Sequence, residues 1–450
     1  MFDVVLWICN ELIGAGARPY LVGGCVRDAI LGAALTDFDV EVFSMPFGEV
    51  EKILSKKFTI EKTGKAFCVL KLREFPIDVS VPRLEVKSGS GHRDFSVDQL
   101  GECNVKIAAE RRDFTINATY FDVKGEKIID AFDGIGDMAS RTLRHVGEKF
   151  SEDPLRVLRG MQLAGRFNLV ADRETIALCR GLSIRSISSE RIFFEWKKLI
   201  LQAETPSLGL KFLEDSGWLK FFPEIGALAQ CMQDSDAHPE GSVFVHTCMA
   251  LDAFAKARIG DELEDLILGF ATLCHDFGKP YVTTHDSRGI HHYDHDKAGV
   301  EPATQFLQSI NAPKYLIEAV SPLILWHMVP RFLYGKSRSD GDVLRLANRV
   351  GRIDRLLRLC FADFAGRANW RERYDPGMEE WLGSTARRLG VFSSKPAPLI
   401  QGRHLVEFGV APSEKFSRIL DECFEAQLNC EFVDLSSGLA YLQKAMRCYD

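Results

Sequence analysis

The stretch Tyr20–Phe43, YLVGGCVRDAILGAALTDFDVEVF, constrains the fold more than any other part of this 450-residue chain. It predicts a short strand, a double-glycine turn, a helix and a second strand. Asp37 and Asp39 stand where that second strand begins. Side chains at i and i+2 of a strand share a face, so both carboxylates can hold the same divalent ions. Gly23 and Gly24 precede a helix N-terminus, where free N–H groups and the positive dipole end favour phosphate. Arg27, one turn in, is placed to reach the same anion. Either half alone equally fits a βαβ turn with a surface acid pair. Together they put a phosphate cradle and a metal site on adjacent strand ends.

That pairing, GG-x-x-R-D followed by D-x-D, suits Mg²⁺-dependent transfer of a nucleotidyl group. On these residues the chain resembles the nucleotidyltransferases with a polymerase-β-like palm, specifically the class II tRNA nucleotidyltransferase and bacterial poly(A) polymerase family. The resemblance implies an α+β fold: a small mixed-sheet head, then an all-α neck, an HD domain and a helical tail. The expected boundaries are 1–144, 145–235, 236–378 and 379–450. It assigns Asp37 and Asp39 to two Mg²⁺ ions, and Gly24 and Arg27 to the triphosphate. In ERRDFTINATYFD it gives Arg112 and Asp113 to the sugar, since an Arg and Asp pair can bond both hydroxyls of a ribose. In EDPLRVLRGMQLAGRF it gives Asp153, Arg156 and Arg159 to the nucleotide, with Asp153 and Arg156 reading the base. Without the resemblance, those three at i, i+3 and i+6 read as an exposed ion-pair ladder. Gln162 departs from family members that carry a further arginine there.

Between these motifs, MPFGEVEKILSKK reads as a helix, and FTIEKTG, FCVLKLR and PIDVSV read as strands. Asp78 in the last of these is a candidate third carboxylate, and Glu41 extends D-x-D to D-x-D-x-E. Arg83–Asn104 is polar, rich in Gly and Ser and aperiodic, which predicts a mobile loop over the active site. FDVKGEKIIDAF predicts a hairpin turning at Lys124–Gly125. In ISSERIFFEWKKLIL, Ser188 or Ser189 caps a neck helix with Glu190, Arg191 and Glu195 on its polar side. Phe193, Phe194 and Trp196 read as core.

Eight of the eleven histidines fall between His238 and His327, so composition alone does not explain them. His246 and the adjacent His275–Asp276 lie in apolar-periodic helices, and Asp363 lies in a third. A polar pair in an apolar helix needs a partner, and a metal satisfies both groups. This H…HD…D set resembles the HD metal-dependent phosphohydrolases. His295 and His327 are candidates for a second metal, and Lys279 for phosphate; His285, His291 and His292 read as loop histidines. Ligand type does not separate Mg, Mn, Ni and Co here. Arg345, Arg349 and Arg352 share a helical face, followed by Arg355 and Arg358; this reads as a solvated ion-paired face, with an RNA backbone contact as the alternative.

No apolar run approaches bilayer length in this reading, and the N-terminus forms an amphipathic helix without a basic leader. The twelve cysteines show no C-x-x-C pair and read as buried reduced thiols. The expected compartment is the cytoplasm, with no membrane partner. A net charge of −7 excludes an indiscriminate polyanion coat without excluding local RNA contact. The expected function is template-independent addition of CCA to the tRNA 3′ end from CTP and ATP, with an HD phosphohydrolase activity. The alternatives are a poly(A) polymerase, or mainly a phosphohydrolase of 2′,3′-cyclic or 2′-phosphates with an RNA-binding head.

Overall fold

The computed structural model describes residues 1–62, 69–87, 95–99, 105–287, 289–336, 338–410 and 414–447. Chain contacts divide it into two units, Met1–Ser188 with Leu208–Trp218, and Ser189–Ser207 with Leu219–Asp450.

The first unit is built on β1 (Arg18–Val22) and β2 (Phe38–Phe43), joined through α2 (Gly24–Ile30). Its sheet also takes β3 (Ile60–Lys62), β4 (Val69–Leu72), β5 (Ile77–Ser80), β8 (Thr119–Asp122) and β9 (Lys127–Asp130). The order is β3-β4-β5-β2-β1-β8-β9, with β2 and β5 parallel and the other pairs antiparallel. Strand alternation decides which residues meet the core. Phe38, Val40 and Val42 are buried with α1 (Phe2–Gly14) and α3 (Phe47–Leu54), whose inward residues Val5, Ile8, Leu12, Val50 and Leu54 repeat at helical spacing. Each such apolar side chain contributes about 1.5–3 kcal/mol on burial. Asp39 and Glu41, one position out of phase, face away from that core; a one-residue slip would bury both acids and expose the apolar set.

The hairpin forms as expected, its Lys124 and Gly125 amides both donating to Asp122 Oδ1 at 3.1 Å. The expectation of an aperiodic loop at Arg83–Asn104 is corrected in part. β6 (Arg83–Lys87) and β7 (Phe95–Gln99) pair antiparallel, Arg83 opposite Gln99; the rest of that stretch lies outside the described residues. After α4 (Val105–Ala109) and α5 (Gly134–Ala139), α6 (Leu155–Phe167) and α7 (Arg173–Arg180) complete the part that positions the head site.

Among the described residues the second unit is helical apart from a two-stranded ribbon, Thr284–Asp286 with Gly289–His291. In it α8 (Ser189–Gln202) lies against the Glu262–Cys274 helix, with Phe193 stacked on Phe270 at 6.2 Å. Trp196 is buried edge-on to Phe222 and Phe306, so core is the right reading for it. Phe194 is 54% exposed and lies under Lys198, outside the core. Glu195 also departs from expectation: it is buried and accepts from Lys198 Nζ at 3.2 Å. The stretch Lys314–Lys336 has the length and apolarity of a membrane span, contrary to the sequence reading. It comprises two helices, Lys314–Trp326 and Val329–Lys336, and Leu316, Val320, Leu323 and Ile324 of the first are buried in the unit. Ile400, Leu405, Ile419, Cys423 and Leu442 form a separate core near the C-terminus.

Candidate active sites

At the head site, the turn after β1 needs glycine for two reasons. Gly23 has φ +72°, and a Cβ there would lie 2.8 Å from Arg112 Nη1 and 3.5 Å from Asp39 Oδ2. The missing side chain therefore leaves room for a cation donor and a carboxylate at the start of α2. Register places Val22 opposite Asp39 and Asp39 beside Asp78. Desolvation raises the Asp39 carboxyl above its ordinary range; Arg112 opposes this, while the negative Asp78 and Asp37 add to it. Crowded carboxylates of this kind favour a cation. Asp37 lies just before β2, is exposed and accepts from Thr36 Oγ1 at 3.0 Å. Asp78 pairs with Lys71 Nζ at 3.0 Å. Glu41 is drawn elsewhere: it accepts from Tyr120 Oη at 2.8 Å and lies 3.6 Å from Arg112 Nη2. Arg112 Nε in turn donates to the same Tyr120 oxygen at 3.2 Å.

Four expected nucleotide contacts, Arg27, Asp113, Arg156 and Arg159, are built into internal networks. Arg27 is buried; it donates to Asp28 Oδ1 at 2.7 Å and Asn117 Oδ1 at 2.6 Å and covers Phe167, which braces α2. Asp113 is buried, accepting from its neighbour's amide Phe114 N at 2.8 Å, from Asn117 Nδ2 at 3.0 Å and from Arg159 Nε at 2.6 Å. Burial pushes its carboxyl up, but the Arg159 guanidinium and the hydrogen bonds prevail and hold it at about 2. Arg156 donates to the carbonyls of Lys149 at 2.8 Å and Arg111 at 2.5 Å. Asp153 precedes α6 and accepts from Leu155 N at 3.1 Å, so it stands at the start of the helix instead of on its face. Gln162 is buried and accepts from Arg166 at 3.3 Å. Arg112, Asp113 and Arg159 thus gather on the Gly23 side of the site, with Asp113 linking Arg159 to the Asn117 turn.

In the second unit His246, His275, Asp276 and Asp363 converge from three helices, Val243–Lys256, Glu262–Cys274 with the two residues after it, and Ile353–Ala365. His246 Nε2 lies 3.1 Å from Asp363 Oδ1, and His275 Nε2 lies 3.2 Å from Asp276 Oδ2. The other carboxylate oxygen, Oδ1 of Asp276, is 3.4 Å from His295 Nε2, itself 3.2 Å from His327 Nε2. Asp276 therefore joins two groups, His246–His275–Asp276 and Asp276–His295–His327, both buried.

The imidazole tautomers follow from partners that can only accept. Nδ1 of His275 lies 2.7 Å from Thr272 O, that of His295 lies 2.8 Å from His292 O, and that of His327 lies 2.7 Å from Ile324 O. Nδ1 of His246 lies 2.9 Å from Glu240 Oε1. Each Nδ1 therefore carries a proton, so each ring in its neutral form would offer its Nε2 lone pair to a cation in the cluster. His275 Nε2 is buried without a hydrogen-bond partner among the described residues. Burial and the neighbouring His295 and His275 push His327 down to about 4, which favours its neutral, metal-ligating form. Burial opposes ionisation of Asp276 and Asp363, but positive charge, from protonated His275 and Lys279 at Asp276 and from protonated His246 and His275 with Arg367 at Asp363, holds both carboxyls well below their usual range and raises His275 in return; a divalent cation would supply that charge in the protons' place. Converging lone pairs and carboxylates fit a divalent cation at each group.

Lys279 is also buried, its Nζ ion-paired 2.6 Å from Asp276 Oδ2 and donating to Gln233 Oε1 at 2.7 Å. His291 pairs with Asp286 in the ribbon, and His292 Nδ1 lies 3.0 Å from Thr283 Oγ1. Glu240 went unnoticed in the sequence. Its Oε1 serves both His238 and His246, and its Oε2 accepts from Ala368 N at 3.2 Å. The signal was an acid six residues before the first HD histidine. Three arginines downstream are held by acids: Arg352 and Arg355 by Glu264, and Arg358 by Asp265.

Residues 19–144 match the poly A polymerase head domain, residues 173–228 the probable RNA- and SrmB-binding site of polymerase A, and residues 237–359 the HD domain. The multifunctional CCA protein of Neisseria meningitidis serogroup B is 34% identical over 374 residues, covering 81% of this chain and 86% of its own. That of Mannheimia succiniciproducens is 32% identical over 391 residues, covering 83% and 90%. Among solved structures, the Bacillus stearothermophilus CCA-adding enzyme in complex with CTP aligns with TM-score 0.65 and 20% identity, over 100% of this chain and 98% of that one. The Thermotoga maritima CCA-adding enzyme complexed with tRNA aligns with TM-score 0.60 and 16% identity, over 99% and 95%. The solved structures speak for the α+β head and helical fold, and the identity to the curated relatives speaks for descent: the chain belongs to the family of multifunctional CCA proteins, with a poly(A) polymerase head and an HD domain.

Proposed function

We propose that the chain adds cytidine, cytidine and adenosine to the 3′ end of tRNA from CTP and ATP, and that its HD cluster hydrolyses phosphoesters. The observation that carries the first activity is Asp39 beside the side-chain-free Gly23 turn, with Arg112 at 2.8 Å from the space a Cβ would take. Asp37 and Asp39 would hold Mg²⁺, which when bound neutralises triphosphate charge and favours the ionised 3′-hydroxyl. The 3′-oxygen bonds to the α-phosphorus, the α–β bridging P–O bond breaks, pyrophosphate leaves and the hydroxyl proton passes to solvent. The Gly24 backbone steadies the triphosphate, with Arg27 acting through the set of α2; Arg112 meets the sugar, with Asp113 acting through the Arg159 that it holds. Asp153 reads the base at the start of α6, with Arg156 acting through the Lys149 and Arg111 carbonyls that it ties to that helix, and Arg159 contacts the nucleotide beside them.

In the HD domain, His246, His275, Asp276 and Asp363 would hold one divalent ion, and His295 and His327 a second that shares Asp276. Lys279 orients that shared carboxylate. The domain boundaries 1–144, 145–235, 236–378 and 379–450 belong to the same proposal. Reduced, buried cysteines support a cytoplasmic setting: among the nine described, eight are buried and all are free.

Primer extension at nucleotide resolution tests the reading. With a tRNA ending at the discriminator base, CTP alone should add two residues and ATP should add a third only after them. A long ladder from ATP alone would make the enzyme a poly(A) polymerase.

A further inference from the structure

A cavity of about 220 Å³ reaches the metal cluster from one side, with Asp363 and His327, one ligand from each proposed group, among its lining residues. That places it where a phosphoester would meet both ions. Its size is below the ~300–1,000 Å³ typical of pockets that enclose a drug-sized ligand, so it suits the end of a chain better than a whole oligonucleotide.

The cavity carries three guanidinium groups, Arg331, Arg367 and Arg373. Arg331 and Arg373 are exposed at its rim, and Arg373 Nη1 donates to Asp236 O at 2.6 Å, which fixes one side of its fork. Arg367 lies deeper. Its Nε is buried with no hydrogen-bond partner among the described residues, while its guanidinium carbon sits 5.1 Å over the Phe364 ring. A buried cationic donor without an acceptor is costly, and a ligand oxygen would relieve it. The opposing acids are partly occupied: Glu379 accepts from Tyr374 Oη, and Asp375 accepts from Gly377 N at 2.9 Å. Two bound cations beside three arginines would repel one another unless an anion entered. Arginine forks match the oxygens of a phosphoryl group, and the aromatic side of the cavity offers Phe364 and Tyr374 to a ring.

We propose that Arg331, Arg367 and Arg373 form a phosphate-reading rim over the HD cluster, and that the cavity takes the phosphate-bearing end of a nucleotide with its base or sugar against Phe364 and Tyr374. This rests on the phosphohydrolase reading of the same cluster and adds the residues that select its substrate. Arg331 and Arg373 are substrate-binding groups, whereas the ions and their ligands remain the reacting centre.

The test uses the full chain loaded with Mn²⁺, Co²⁺, Ni²⁺ or Mg²⁺ in turn. Wild type and the Arg331→Ala/Arg373→Ala double variant are compared by calorimetric binding of adenosine 2′-monophosphate and of adenosine. Metal content is measured alongside, and kcat and KM on adenosine 2′,3′-cyclic monophosphate follow. Both substituted side chains are exposed, so fold and metal content should persist. The proposal expects nucleotide affinity to fall, and KM to rise, by about tenfold or more, with adenosine binding and metal content unchanged. Equal nucleotide affinity in variant and wild type would overturn the rim. Absence of hydrolysis with every metal overturns the phosphohydrolase reading instead, and the calorimetric arm still decides the rim.

Discussion

The head site and the HD cluster solve the same problem, holding divalent cations beside phosphate, with opposite degrees of preparation. In the HD cluster all four imidazoles have their Nδ1 protons fixed by acceptors, so every Nε2 faces the cluster before any ion arrives. In the head, Asp37 is exposed, Asp78 pairs with Lys71, Glu41 pairs with Tyr120, and Asp113 is saturated by Arg159 and Asn117. A buried preformed site binds metal by geometry; a site of partnered, partly exposed carboxylates waits for the triphosphate to bring charge and order. The two sites should therefore respond differently to the loss of single groups.

The largest effect is expected from Asp39→Ala. Removing the carboxylate that faces the Gly23 turn should lower nucleotide addition on the order of 10³-fold, several kcal/mol of barrier, while HD metal content and hydrolysis remain. Primer extension beside a phosphodiesterase assay reads both. Survival of CCA addition in this variant would put the reacting centre elsewhere and erase the comparison.

Next comes Glu240→Gln. Its Oε1 accepts from His246 Nδ1, and an amide that turns its nitrogen to that ring would favour the wrong tautomer, with the proton facing the ion. Metal affinity should fall about 10–100-fold, measured by competition with a chelating dye, and nucleotide addition should be unaffected. An unchanged affinity would mean that the cluster is less dependent on fixed tautomers than its geometry implies.

Asp113→Asn sharpens the head side. The folded carboxyl is held at about 2, below its ordinary 3.8, so the ionised group contributes stability that is complete above the unfolded value and lost as pH falls from there through about 2. The shift corresponds to ~2 kcal/mol at neutral pH. Denaturant unfolding at neutral pH should show that loss, and the acid limb of the wild-type stability profile should flatten in the variant. A variant as stable as wild type would mean that Arg159 is equally well placed without its partner.

These contrasts also explain what the sequence disclosed. The strand–turn–helix–strand order and the Asp pair were legible because period and glycine placement are local. The HD ligands were legible because polar residues stand out in apolar helices. The direction of Arg27 was not, since Asn117, which holds it, lies 90 residues away. Glu240 was hidden because it sits outside the helix that carries His246, and only the fold brings its carboxylate to the ring. RLEVK and FSVDQ carry a strand period that the intervening Gly and Ser masked. Glu195 read as a surface position on its helix, whereas Lys198 accompanies it into the interior.

The smallest effect belongs to Arg355→Gln, which separates charge that serves the fold from charge that serves RNA. Five arginines between Arg345 and Arg358 look like a basic stripe. Arg355 donates to both oxygens of Glu264, at 2.8 and 2.7 Å, a planar two-bond match. Arg352 reaches the same carboxylate at 3.0 Å, and Arg349 lies over Trp326. A partly exposed pair of this type contributes no more than about 1 kcal/mol, and losing one arm leaves Arg352 on Glu264. Stability should change by less than that amount. A guanidinium already satisfied by a carboxylate releases no counterion from RNA, so the slope of tRNA affinity against salt should match wild type. A slope reduced by about one charge would instead show that Arg355 leaves Glu264 for a phosphate, making this face part of the RNA path.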